Sequence, residues 1–121
     1  MLEKDILGDR LHVSAFTIRG HLTVANCGQL MEDIIRRIGM TTAHGSTVCH
    51  YPVSGLGGIG FTIFQPITQS FLVLDCWPEA DIPHAFLVVA SCKSFTNKEV
   101  EKVIIESGFI LSEQIAQVLL A

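Results

Sequence analysis

Apolar and polar positions along the chain follow two rhythms. Residues 11 to 18, Leu-His-Val-Ser-Ala-Phe-Thr-Ile, alternate in part and are rich in strand formers, which predicts a first strand ended by Arg19-Gly20. The period then lengthens. Asn26 with Gln29 three positions on reads as a capping box, and Leu30, Ile34, Ile35 and Ile38 share one helical stripe that Gly39 closes, so a helix is expected over 26–38. Met40 to Val53 is mixed and β-leaning. In Ser54-Gly55-Leu56-Gly57-Gly58-Ile59-Gly60 the glycines invite comparison with a phosphate loop. Such a loop needs a helix start directly behind it, and here Phe61 to Phe64 reads as a strand, so a flexible hairpin turn is expected instead. Pro66 should break or bend that strand, and Phe71 to Cys76 gives the next. Ala85 to Ser91 is a continuous apolar run suited to a central strand. Thr96-Asn97-Lys98-Glu99 is a second capping box, with Val100, Val103, Ile104 and Ser107 as the inner stripe of a helix ended by Gly108. Phe109 to Leu111 begins a last strand, and the tail from Ser112 to Ala121 either extends it or forms a short helix.

The order β, α, β, β, β, β, α, β predicts an α+β fold over residues 1–121 as one domain: a two-layer sandwich, mostly antiparallel sheet, both helices on one face. Its other sheet face would be apolar and uncovered, a dimerisation surface or the floor of a site. Composition sharpens this. Apolar residues make up 49% and charged residues 17%, rich for a small monomer, so a homodimer through the sheet is expected. A net charge of −4 offers no basic field for nucleic acid. No apolar run reaches the roughly 18 residues of a membrane span, and Met1-Leu2-Glu3-Lys4-Asp5 does not read as a signal peptide, so a cytoplasmic protein is expected. Cys27, Cys49, Cys76 and Cys92 form no C-x-x-C pair, and His44, Cys49 and His50 match no usual ligand spacing, so neither disulfides nor a metal are expected.

Asp75 is the oddity: a carboxylate inside an apolar strand is costly unless paired, edge-exposed or functional. Around it, Gln69-Ser70-Phe71, then Trp77-Pro78-Glu79, then Ala90-Ser91-Cys92, with His50-Tyr51-Pro52 and glycines upstream, resemble the prokaryotic S-adenosylmethionine decarboxylases. Those enzymes are small α+β sandwiches that cut their own chain before a serine and turn it into a pyruvoyl group. The resemblance implies cleavage between Gln69 and Ser70, a self-derived pyruvoyl cofactor at Ser70, and decarboxylation of a small-molecule substrate for polyamine (spermidine) biosynthesis. The pyruvoyl ketone would take the substrate amine as a Schiff base and draw off electrons as CO2 leaves. By the same resemblance Cys92 would return the proton, Asp75 would stand in the position of the family's processing histidine, Glu79 would hold ribose hydroxyls, and Tyr51 would stack on adenine beside Trp77. The chain departs from the family at Gln69 (Glu), Phe71 (His) and Asp75 (His), and in a loop before the serine lengthened by Gln65-Pro66-Ile67. Two further readings stand beside this one: a pyruvoyl enzyme for ornithine or arginine, in which Asp75 pairs with the distal cation, and an uncleaved binding or regulatory homologue.

Overall fold

Each helix begins at a threonine and ends at a glycine. The computed structural model describes residues 11–52, 58–68 and 70–120, with side chains as far as residue 112. Helix α1 runs over Val24–Arg37, and its N-cap is Thr23, whose hydroxyl accepts from the Asn26 amide, rather than Asn26 itself. Beyond Ile38 the chain turns left-handed at Gly39 (φ 76°), where Gly39 N–H donates to Arg36 and Met40 N–H to Ile35, a Schellman closure. Helix α2, Asn97–Glu106, repeats the plan: Thr96 caps the Glu99 amide as its motif predicts, and Gly108 and Phe109 donate back to Ile105 and Ile104. Ser107 lies on the exposed cap, not on the inner stripe, whereas Cys27 and Met31 join the buried stripe of α1.

The strands are β1 Leu11–Arg19, β2 Thr47–Pro52, β3 Ile59–Ile67, β4 Ser70–Trp77, β5 His84–Ser91 and β6 Ile110–Leu120. They form one six-stranded sheet in the order β2-β3-β4-β5-β1-β6, every neighbouring pair antiparallel. The α+β two-layer sandwich is therefore the fold of this chain. The tail takes the strand alternative, because β6 has all of β1 to pair with. The glycine-rich connection between β2 and β3 falls largely on residues 53–57, outside the described residues; the two strands it joins pair as a hairpin.

Pro66 neither breaks nor ends β3. It sits opposite Phe71, beyond the last β2 pair at Phe64, so the amide it lacks is not needed for that ladder, and its carbonyl accepts from Ala43. Gln65-Pro66-Ile67 are thus strand residues rather than added loop. The helix face of the sheet, with Phe16, Ile18, Ile63, Leu72, Leu74, Leu87 and Val89, meets Leu30, Met31, Ile34, Val100 and Ile104 in one buried core. No helix among the described residues is long and apolar enough to cross a membrane.

Candidate functional site

Side-chain alternation along β4 sorts the candidate residues onto two faces. Leu72, Leu74 and Cys76 are buried on the helix face, and Ser70 falls in step with them. Phe71, Val73, Asp75 and Trp77 point to the open face. Ser70 and Asp75 thus lie on opposite faces, about 16 Å apart along the strand at 3.3 Å per residue.

Ser70 does meet Cys92. Strands β3 and β4 pair as a hairpin up to Ile67 and Ser70, with Thr68 in the turn beyond β3. Thr68 is tied to the loop after α1: its amide donates to the Thr41 carbonyl at 3.1 Å, and the two hydroxyls lie 3.3 Å apart. Gln65 Nε2 donates to the His44 carbonyl at 2.8 Å, clamping the same corner. Cys92 follows the end of β5. Its amide donates to Ser70 Oγ at 2.9 Å, and Ser70 Oγ–H points at Cys92 Sγ, 3.6 Å away. A hydroxyl held this way has a donor fixing its lone pair and a sulfur facing its proton. Gln69 itself lies outside the described residues.

Asp75 belongs to a different cluster. Thr62, opposite it on β3, donates its hydroxyl to Asp75 Oδ1. That hydroxyl has a single proton, so the 3.1 Å contact between Tyr51 and Thr62 must have the phenol as donor. The relay runs Tyr51 to Thr62 to Asp75 and ends on an acceptor. Trp77, two residues on, stacks on His84 with centroids 5.2 Å apart and makes a T-shaped contact with Phe86 at 5.2 Å. His84 Nδ1 donates to the Ile82 carbonyl at 2.8 Å, which fixes its proton on that nitrogen. Glu79 lies beyond, where its Oε2 accepts the Ile59 amide at 3.2 Å and its carboxyl fills the space a Cβ on Gly58 would need.

Cross-strand register divides the open face into rows. Val13–Ala90–Phe71–Pro66 and Ala15–Val88–Val73–Phe64 are apolar apart from the backbone edges. Thr17–Phe86–Asp75–Thr62 and the Trp77–His84 pair form the chemically mixed end. The expected residues therefore separate into Ser70 with Cys92 at one end of β4 and Tyr51, Asp75, Trp77 and Glu79 at the other. Within one chain no small ligand spans both. Thr62, His84 and Phe86 went unremarked in the sequence; the strand alternation that places Asp75 on the open face is the signal that would have found them. Among the described residues no group of three His, Cys, Asp or Glu is arranged to hold a metal ion.

The chain matches no protein-family model and no curated protein.

Proposed function

We propose that this chain is a self-processing, pyruvoyl-dependent decarboxylase resembling the prokaryotic S-adenosylmethionine decarboxylases. One observation carries the reading: the Ser70 hydroxyl, on the first residue of β4, engages both the amide and the thiol of Cys92. In processing, Ser70 Oγ attacks the Gln69 carbonyl carbon, the amide C–N bond breaks and an ester forms. Loss of the Ser70 α-proton then expels the Gln69 carboxylate, and water takes up the resulting dehydroalanine nitrogen as ammonia, leaving a ketone on residue 70. Cys92 Sγ, rather than Asp75, stands where the Ser70 hydroxyl proton departs, and the Cys92 amide holds the oxygen in place. The pyruvoyl group supplies the electron sink for loss of CO2 from an amino-acid-derived substrate. Ser70 and Cys92 fit its formation. S-adenosylmethionine, with a role in polyamine biosynthesis, is the substrate that the Trp77-Pro78-Glu79 resemblance favours.

A second copy of the chain is proposed to cover the apolar rows Val13–Ala90–Phe71 and Ala15–Val88–Val73–Phe64, of which Phe64 is 42% and Phe71 36% exposed. Light scattering behind size-exclusion chromatography reads this directly, and a monomer at all concentrations refutes it.

Intact-mass spectrometry of purified protein tests the processing. Two fragments meeting between Gln69 and Ser70, replaced by one intact chain in Ser70→Ala, are expected, with CO2 released from S-adenosylmethionine in preference to ornithine or arginine. An intact wild-type chain under every condition removes the enzyme reading and favours the uncleaved binding homologue. The observation on that side is the engagement of Asp75 by Thr62, itself bonded by Tyr51, remote from Ser70.

A further inference from the structure

Ser91 ends β5 as a wholly buried hydroxyl, behind the six apolar residues from Ala85 to Ala90. A hydroxyl shut away from water costs stability unless it is bonded. Its oxygen accepts the Lys93 amide, two residues on, at 3.0 Å. That bond closes a tight turn of the kind serine favours, and Cys92 is the residue inside it. Lys93 pins the same turn from outside, where its Nζ donates to the Gly39 carbonyl at 3.3 Å, at the end of α1. Gly39 has no side chain to obstruct this contact; a Cβ there would lie 2.6 Å from that nitrogen. Phe95, two residues beyond Lys93, is buried, and His12, opposite Ser91 on β1, sets its ring 6.2 Å from that of Phe95.

We propose, resting on the processing reading, that Ser91 and Lys93 are positioning residues for self-cleavage at Ser70. They act through Cys92, whose amide donates to Ser70 Oγ at 2.9 Å and whose sulfur lies 3.6 Å from it. An attacking oxygen is productive only over a narrow range of position, and an error near 1 Å costs about a hundredfold in rate. A turn closed by a buried hydroxyl and anchored by an ammonium sets the Cys92 amide in place before the reaction begins. Without the Ser91 oxygen the Lys93 amide loses its acceptor, the turn relaxes, and the Ser70 hydroxyl drifts with it.

Full-length wild type, Ser91→Ala, Ser91→Thr and Thr23→Ala are compared by timing the 1–69 and 70–121 fragments with mass spectrometry. Ser91→Ala is expected to slow their appearance at least about tenfold, and Ser91→Thr, which keeps the oxygen, to restore it. Thr23→Ala removes the cap at the far end of α1, loses stability without touching the turn, and is expected to process as wild type. Parallel samples receive hydroxylamine, which attacks the Gln69 carbonyl of the ester, leaves a hydroxamate there and releases Ser70 with its own amine and hydroxyl. Misplacement acts on ester formation, so the hydroxamate should fall in the same proportion in Ser91→Ala. Wild-type rates of fragment or hydroxamate in Ser91→Ala, equal slowing in Thr23→Ala, or no recovery in Ser91→Thr overturns the positioning role and leaves the processing reading in place. A wild type that stays intact removes both. Should Ser91→Ala lose its circular-dichroism signature of folding, the exposed Lys93 decides. Lys93→Met slowed about threefold, with Lys93→Arg as fast as wild type, supports the role, and an unaltered Lys93→Met refutes it.

Discussion

Shortening Leu74 to alanine tests where the core lies. Leu74 is fully buried on β4, in register with Ile63 on one side and Leu87 on the other. The truncation removes three carbons, about 2.4 kcal/mol at 0.8 per buried methylene. Both neighbours are held by backbone ladders, so the space collapses only in part, and the residual cavity brings the loss to about 3–4 kcal/mol. The adjacent Val73 points to the open face and is half-buried. Val73→Ala should remove less than about 1 kcal/mol when that face meets water. Urea unfolding followed by Trp77 fluorescence measures both, read as midpoint shifts at a common slope. In thermal scans Leu74→Ala should fall by about 10–15 °C. A second copy over the open face would make the Val73→Ala loss grow with protein concentration. Equal losses for the two variants, unaffected by dilution, would contradict a one-sided core with a face left for a partner.

Other outcomes follow from particular contacts. Cys92→Ala should slow appearance of the 1–69 and 70–121 fragments about a hundredfold while leaving the chain folded, read by a mass-spectrometric time course. The Cys76 thiol is pushed far up by its hydrogen bond with Cys27 and by burial. Its contribution to stability is therefore complete below the ordinary thiol range and is lost progressively as pH rises beyond that range, because only the unfolded thiol ionises there. Above about pH 9 the loss approaches 1.4 kcal/mol per pH unit, and Cys76→Ala should show a correspondingly flatter pH profile in urea unfolding. Gly58 has φ 74° and faces the Glu79 carboxyl, so Gly58→Ala should destabilise by about 1–2 kcal/mol. Thr96→Ala removes the cap of α2 and should cost about 1 kcal/mol in the same unfolding assay.

The element order was legible because burial follows the two periodicities through most of the described core, with Ala90 on β5 buried out of step. Thr96 and the glycines Gly39 and Gly108 announce helix ends by local chemistry alone. Thr23 was missed because two candidate caps, Thr23 and Asn26, lie three residues apart, and only the hydrogen bond between them decides which is outside the helix. Pro66 misled for a different reason: whether a proline ends a strand depends on where the neighbouring strand stops, a non-local fact. The candidate site shows the same limit. The family resemblance put Ser70 and Cys92 in one site, and their contact arises from two strand ends meeting across the sheet. Asp75 was read as their partner through family spacing, although five residues along a strand invert the face. Parity was available in the sequence and would have separated them.

The connection between β3 and β4 divides the six strands three and three, but not into adjacent halves of the sheet. A break there leaves β1, β2 and β3 on one piece and β4, β5 and β6 on the other, yet β1 lies between β5 and β6. One piece is threaded through the other as a tongue through a clasp. Pulling them apart would mean undoing three ladders at once, β3 from β4 and β1 from both its neighbours, along with the helix layer above. Two chains born from such a break would therefore travel as a single body, and would part only when the whole sandwich unfolds.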